Sequence, residues 1–356
     1  MAKTDSSKRG KQSVTASTLV LAALRERVAA LHAAVELDTD EPTPSLDDTD
    51  LATDTADTDG DEAADDGGSS VTVPAAPDEV PDDDEDESVA AAGMDVEGLA
   101  EVLADLDAVV SGFAPLIEGP DVAALRPELA WARAIVDEAH GLEGTVDVLS
   151  ELLDDLDPSL RLGPVEQRLQ LVVNARSAER RAEVESMLAQ PEWASLLEHA
   201  DRLVLSAPIA GTKTKNTEKV LARALAGADS AAREAADAAV AEAHGADRSG
   251  TPQLAPVITA ATTVAVTARV TRPVLGKQAR KLADAAEAMA AALDERRRSE
   301  SAAHWLVDLA DIAHRAGEPS FTYGVLHTEA RARREKADEA LAAAVTAYTK
   351  PKLHKL

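Results

Sequence analysis

The stretch Val257-Ile-Thr-Ala-Ala-Thr-Thr-Val-Ala-Val-Thr-Ala-Arg-Val-Thr271 decides how the whole chain is read. Its Val, Ile and Thr residues favour a β-strand by local propensity. A strand of that length needs a sheet to join, and the sequence on either side offers only helical patterns. Val257 to Arg272 therefore reads as a helix despite its propensity, because propensity is a weak prior that packing overrides.

Working outward, Lys277 to Arg298, Ser301 to Arg315 and Thr322 to Tyr348 follow as helices, the last charged on one side and alanine-rich on the other. Upstream, Asp247 to Pro252 reads as a loop, Glu218 to His244 as a long alanine-rich helix, and Pro208 to Asn216 as a Gly/Lys/Thr loop. Before these come Trp193 to Ser206, Val165 to Ala189, Val146 to Leu156 and Val122 to Ala139, with Pro158 and Gly163-Pro164 as breaks. Val96 to Ile117 carries the clearest amphipathic stripe, Val96, Leu99, Leu103, Leu106, Val110, Phe113 and Ile117, spaced by threes and fours. Thr15 to Leu37 forms the first helix, with Ser17 as N-cap. The expectation is an all-α chain.

Composition agrees. Hydrophobic residues make up 45% of the 356 residues and aromatics 2%, so Ala, Leu and Val must fill the core, which suits closely spaced helices. Without cysteine there is no disulfide, thiol nucleophile or Cys-ligated metal. The apolar-leaning stretch Leu254 to Ala268 falls short of the ~20 residues that span a bilayer. Nothing after Met1 resembles a signal peptide, and the expected compartment is the cytoplasm.

The net charge of −29 argues against nucleic acid and is unevenly placed. Asp38 to Glu87 holds 21 acidic residues and no Lys or Arg. Low hydrophobicity and like-charge repulsion leave too little apolar surface to offset the entropy of ordering, so 38–90 reads as a disordered acidic insert. Within it Asp57-Thr-Asp-Gly-Asp61 resembles a calcium loop. Set against an EF-hand frame, Thr55 falls at the first ligand position and Asp66 at the last, where Glu is wanted. Gly211-Thr-Lys-Thr-Lys215 lacks the upstream Gly and preceding strand of a phosphate loop. The division expected is a tail over 1–14, a first helix over 15–37, the insert, helical halves at 91–206 and 207–350, and a tail over 351–356.

Four segments, in order, resemble the CHAD family (conserved histidine α-helical domain). Leu129-Ala-Trp-Ala-Arg-Ala-Ile135 resembles the helix leading into an Arg-Asp-Leu-Asp-type turn, and Arg161-Leu-Gly-Pro-Val-Glu-Gln-Arg168 the opening of the next helix. Pro273-Val-Leu-Gly-Lys-Gln-Ala-Arg-Lys-Leu282 resembles the stretch after the second basic helix, and Ala316-Gly-Glu-Pro-Ser-Phe-Thr-Tyr-Gly-Val-Leu-His327 the entry to the last. The resemblance spans roughly 15–350. It implies two antiparallel helical bundles related by an internal pseudo-repeat, around a basic channel that binds inorganic polyphosphate. The family's signature is two helices of pattern His-x-x-Arg, each followed one turn on by paired basic residues.

The chain departs from that signature. Anchored on Phe113-Ala-Pro-Leu116, the first His falls at Glu97, its Arg at Ala100, and the paired basic positions at Ala104, Asp105 and Asp107. Anchored on Pro273, the second His falls at Ala255, its Arg at Ile258, and the basic cluster at Thr262, Thr263 and Ala265. The Arg-Asp-Leu-Asp turn reads His140-Gly-Leu-Glu143. Lost cations remove phosphate contacts and the two Asp add repulsion, so polyphosphate binding is expected to be weak or lost.

The remaining candidate anion-binding residues are Arg272, Lys277, Arg280, Lys281, Arg296, Arg297, Arg298 and His327. The basic residues read either as a residual anion site or as a solvated charged face, with the Arg run near a helix C-terminus favoured by the dipole. His327, four residues after Tyr323, reads as a phosphate contact or a hydrogen bond at the bundle seam. Trp131 and Trp193 read as packing residues and His140 as a helix-end residue, while His304 and His314 lack a partner at metal-ligand spacing. No catalytic set, metal site or cofactor is expected. The function expected is a non-enzymatic binding module, at polyphosphate granules if the family ligand is kept. The alternative is an interaction scaffold that docks basic protein partners through the acidic insert.

Overall fold

The helix over Val257–Arg272 forms because its β-branched face is buried. The computed structural model describes residues 15–36, 95–117, 119–206, 216–245 and 254–354. In it Val257, Ala261, Val264, Ala265, Val266, Thr267, Ala268 and Thr271 are all buried. The cost of Val and Thr in a helix, up to about 0.7 kcal/mol each, is outweighed by that burial, about 1.5–3 kcal/mol for a whole valine-sized side chain. Two of the threonine hydroxyls are satisfied within the helix: Thr263 donates to the Thr259 carbonyl and Thr271 to that of Thr267, both at 2.9 Å.

The described residues form nine α-helices and no strand. In order they are α1 (Ala16–Glu36), α2 (Val96–Gly112), α3 (Pro120–Asp154), α4 (Val165–Leu188), α5 (Pro191–Ser206), α6 (Thr217–Gly245), α7 (Ala255–Leu275), α8 (Lys277–Arg315) and α9 (Phe321–Tyr348). The order α1–α4 recurs as α6–α9, with α5 added to the first half, giving two antiparallel bundles. Contacts divide the chain into Met1–Leu37 with Met94–Leu356 as one unit and Asp38–Gly93 as another. The second unit lies outside the described residues, and with it the acidic insert and the calcium-loop reading; Gly211–Lys215 lies outside them too.

Three cores of mainly Ala, Leu and Val hold the helices. The first joins α1, α2, the start of α3, the end of α4 and α5, and contains Trp193, with Trp131 against its edge. The second joins α6, α7 and the first half of α8, closed by Tyr348. The third is shared between the halves. Val148, Leu149 and Leu153 from the end of α3 meet Leu306 and Leu309 from the end of α8, with Val165, Tyr323 and Leu326 completing it.

Two helices run longer than the sequence suggests. The breaks expected after Ala139 and after Arg298 do not exist, and α3 and α8 are continuous over 35 and 39 residues. In α3 the residues Gly141 and Gly144 remain helical, although glycine costs about 1 kcal/mol each there. At the crossing with α8 they leave room for two arginine side chains. A Cβ on Gly141 would lie 2.8 Å from Arg297 Nη1, and one on Gly144 2.8 Å from Arg298 Nε. His140 and Arg296–Arg298 are therefore mid-helix residues, and the helix-end and dipole readings of them are corrected. The helix expected to reach Ile117 ends at Gly112, where the Phe113 N–H closes the last turn on the Val109 carbonyl.

A single hydroxyl fastens the joint of the third core. Thr322 Oγ1 accepts from the Leu162 N–H and donates to the Leu160 carbonyl, both at 2.8 Å. Thr322→Val keeps the shape and leaves both backbone groups unpaired, a loss of about 1–3 kcal/mol. Urea unfolding should show a lower midpoint with an unchanged slope, and Thr322→Ser should stay close to the parent. A midpoint unmoved in the valine variant would show that the joint does not depend on this hydroxyl.

Candidate functional site

Between the two halves lies a groove of about 350 Å³, walled by α2, α3, α7 and α8. Its lining is a set of helical stripes. From α2 come Glu97, Ala100, Glu101 and Ala104, from α7 Ala255, Ile258, Thr259 and Thr262. From α3 come Arg133, Asp137 and His140, and from α8 Asp294, Arg297 and Arg298. Within each stripe the members lie three, four or seven positions from the first, which puts them on one helix face.

Six of these, Glu97, Ala100, Ala104, Ala255, Ile258 and Thr262, are positions where the resemblance places the two basic signatures. They converge on one cavity from two helices more than a hundred residues apart in sequence. The chamber is present, and its lining holds three arginines against four carboxylates.

Most of that charge is bound internally. Arg133, 14% exposed, donates to Asp107 at 2.5 Å and to Asp137 at 3.2 Å. Arg297 donates to Asp294 at 2.7 Å, and Arg298 Nε lies 2.6 Å from the other oxygen of the same carboxylate. That carboxylate is not in line to accept the Arg298 Nε hydrogen, which is buried without a bond. Asp105 is held by Arg27 of α1 at 3.0 Å, with Arg269 of α7 at 3.7 Å. The repulsion expected from Asp105 and Asp107 is thus softened, because each is already matched by an arginine.

Two groove carboxylates are different. Glu97 and Glu101 are exposed and have no ion-pair partner among the described residues. Nearby, burial pushes the Glu143 carboxyl above the ordinary range, against the lowering influence of Arg181 and His140, and Glu97 adds to the rise. His140 has its Nδ1 buried without a hydrogen-bond partner.

The eight candidate anion residues do not form one site. Arg297 and Arg298 line the groove. Arg296, on the same helix, is bound to Asp338 of α9 at 2.6 Å and to Glu300 at 3.2 Å. Arg272, Lys277, Arg280 and Lys281 are exposed at the junction of α7 and α8, without ion pairs among the described residues. His327 is half-buried on α9. Sequence reading missed Arg133, Asp137 and Asp294. Their signal was the spacing 133-137-140 and 294-297-298, which becomes visible once α3 and α8 are read as unbroken.

Among the described residues no group of three or more metal-ligating side chains converges, and no helix is long and apolar enough to cross a membrane.

Comparison with known proteins follows this geometry. The family model for the CHAD domain matches residues 85–307, well over half of the chain. Among solved structures, PptA from Streptomyces chartreusis is similar with a TM-score of 0.57 and 16% identity, covering 93% of this chain and 99% of that one. The CHAD domain from the plant Ricinus communis is similar at a TM-score of 0.47 and 17% identity, covering 73% and 81%. No curated protein matches significantly.

Proposed function

We propose, starting from the fact that the chain belongs to the CHAD-domain family, that it is a non-enzymatic binding module whose groove no longer grips inorganic polyphosphate strongly. One observation carries the reading. Where the family places cations, the groove holds Glu97, Ala100, Ala104, Ala255, Ile258 and Thr262, and its three arginines are engaged by Asp107, Asp137 and Asp294. Affinity for a phosphate chain comes from closely spaced, available cations, and each that is missing or paired removes a charge-assisted contact. In this reading both halves wall the groove, 91–206 through α2 and α3 and 207–350 through α7 and α8.

What anion affinity remains is assigned to cations that are unpaired. Arg272, Lys277, Arg280 and Lys281 meet this condition, and they flank the start of α8, whose first turn carries no acidic residue. A helix N-terminus favours an anion and disfavours the lysine it carries. Arg297, Arg298 and His327 contribute less in this reading, and Arg296 is engaged by α9. The setting proposed is cytoplasmic, with weak attachment to polyphosphate granules and no role for nucleic acid.

Retention on long-chain polyphosphate at low salt tests this. The expected result is weak retention, lost on modest addition of salt. Tight retention surviving physiological ionic strength would overturn the reading.

A second reading rests on a separate observation, the 21 acidic residues without a Lys or Arg between Asp38 and Glu87. That segment suits a basic protein partner. Deleting 38–88 should abolish binding to a basic peptide if the scaffold reading holds, and leave polyphosphate retention no weaker.

A further inference from the structure

We propose that the groove takes a small zwitterion, with its anionic group at Arg297 and Arg298 and its ammonium group at Glu97 and Glu101. The inference rests on the reading that the groove has ceased to serve a polyanion.

Three independent features point to it. The first is polarity. Asp294 supplies one negative charge to two guanidiniums, which leaves the α8 wall with an excess of one positive charge. On α2, Glu97 and Glu101 have no ion-pair partner among the described residues, and Arg133 of α3, shared by Asp107 and Asp137, leaves one further negative charge on that side. The groove is therefore dipolar, with opposite unbalanced charges on different walls of one cavity.

The second feature is that the arginines are built into place. Gly141 and Gly144 let the two side chains lie against the α3 backbone; a Cβ there would come within 2.8 Å of Arg297 Nη1 and of Arg298 Nε, and the arginines would have to shift. Both glycines lie in the middle of a long helix, where glycine is disfavoured, at the point where the two arginines pack.

The third is unmet bonding capacity. His140 Nδ1 is a buried polar atom without a hydrogen bond, and His140 lines this cavity. A buried unpaired polar atom is costly, and a polar ligand group brought in beside His140 relieves that cost. The volume of about 350 Å³ is at the lower end for a small-molecule site. A long phosphate chain meets Glu97 and Glu101 as repulsion, whereas a ligand carrying an ammonium group meets them as partners.

The test is calorimetric titration of the full chain with straight-chain ω-amino acids of four to eight carbons, against hexanoate and hexylamine. The best ω-amino acid should bind at least about tenfold more tightly than either single-ended probe, since a hydrogen bond to a charged group is worth about a factor of ten or more. Glu97→Gln with Glu101→Gln should reduce it to the level of hexanoate, and Arg297→Gln to that of hexylamine. The two glutamates are exposed and unpaired, so their replacement leaves the fold intact. If no ω-amino acid exceeds hexanoate, the inference is overturned. Long-chain polyphosphate, titrated alongside, separates the two levels: if neither binds, only this inference falls, and if polyphosphate binds tightly, the reading beneath it falls as well.

Discussion

Returning cations to the groove with Glu97→His, Ala100→Arg, Ala255→His and Ile258→Arg together is expected to raise affinity for long-chain polyphosphate by about a hundredfold or more. Each added guanidinium makes charge-assisted bonds worth about 1.5–3 kcal/mol, and about 1.4 kcal/mol is a factor of ten. Removing the Glu97 carboxylate deletes a repulsion as well. The four positions line one cavity, so the new groups face a single ligand. Ala100 is 5% exposed and lines the groove, so an arginine there must run its stem along the wall to place its head in the cavity. Binding measured at two ionic strengths checks the result, because a restored electrostatic grip must weaken with salt. Each pair, one on α2 and one on α7, should give part of the gain, so a folding defect in the quadruple variant leaves the test intact. Unchanged affinity in well-folded pair variants would show that these positions do not control the grip.

The gain has a ceiling set by the ion pairs already present. Arg133 is shared between Asp107 and Asp137, and Asp105 sits between Arg27 and Arg269. In a partly buried site such pairs exchange ligand binding for internal cohesion. Breaking one exposes an uncompensated charge, which is far more costly than the pair is stabilising. The proposed loss of polyanion binding is thus more than subtraction of cations, since the arginines of the groove have carboxylate partners.

That distinction marks where the sequence was legible. The all-α fold could be read because apolar residues recur at helical spacing on both sides of Val257–Thr271, and a lone strand had nothing to pair with. The signature positions could be read from Phe113 and Pro273, and the structure places six of them around one groove. What could not be read was the length of α3 and α8. Gly141 and Gly144 look like a break when taken locally, and the packing that surrounds them, with Arg297 and Arg298 more than 150 residues away, is not visible there. The same non-local contact hid the groove's second pair of walls. The pairing of Asp105 with Arg27 is equally non-local, the partners lying 78 positions apart.

Removing the Asp229 carboxylate, as in Asp229→Ala, is expected to destabilise the folded chain by about 3–5 kcal/mol, the cost of breaking a buried charged cluster from one side. Asp229 is 2% exposed and holds three donors: Tyr348 Oη at 2.6 Å, His354 Nδ1 at 2.9 Å and Arg233 at 2.9 Å. Through Tyr348 it closes the second core, and through His354 it fixes the chain after α9. Burial first, then the bond to Asp229 and its charge, push the Tyr348 phenol far above its ordinary range. Burial, aided by Glu318 and opposed by Arg168, raises Tyr323 too. The sign of the pH dependence follows. Below the ordinary tyrosine value of about 10, folded and unfolded states both keep the phenolic protons and this contribution is complete. Above it the unfolded chain releases protons that the folded chain retains, so stability falls with rising pH, by up to about 1.4 kcal/mol per unit for each tyrosine. These are the two tyrosines of the chain, so tyrosinate absorbance should lag behind the ordinary titration and rise together with the loss of helix. In Asp229→Ala the Tyr348 part of that lag should shrink, and carboxypeptidase should trim the residues after Thr349 faster. A titration in which both phenols ionise near pH 10 with the helices intact would refute the buried cluster.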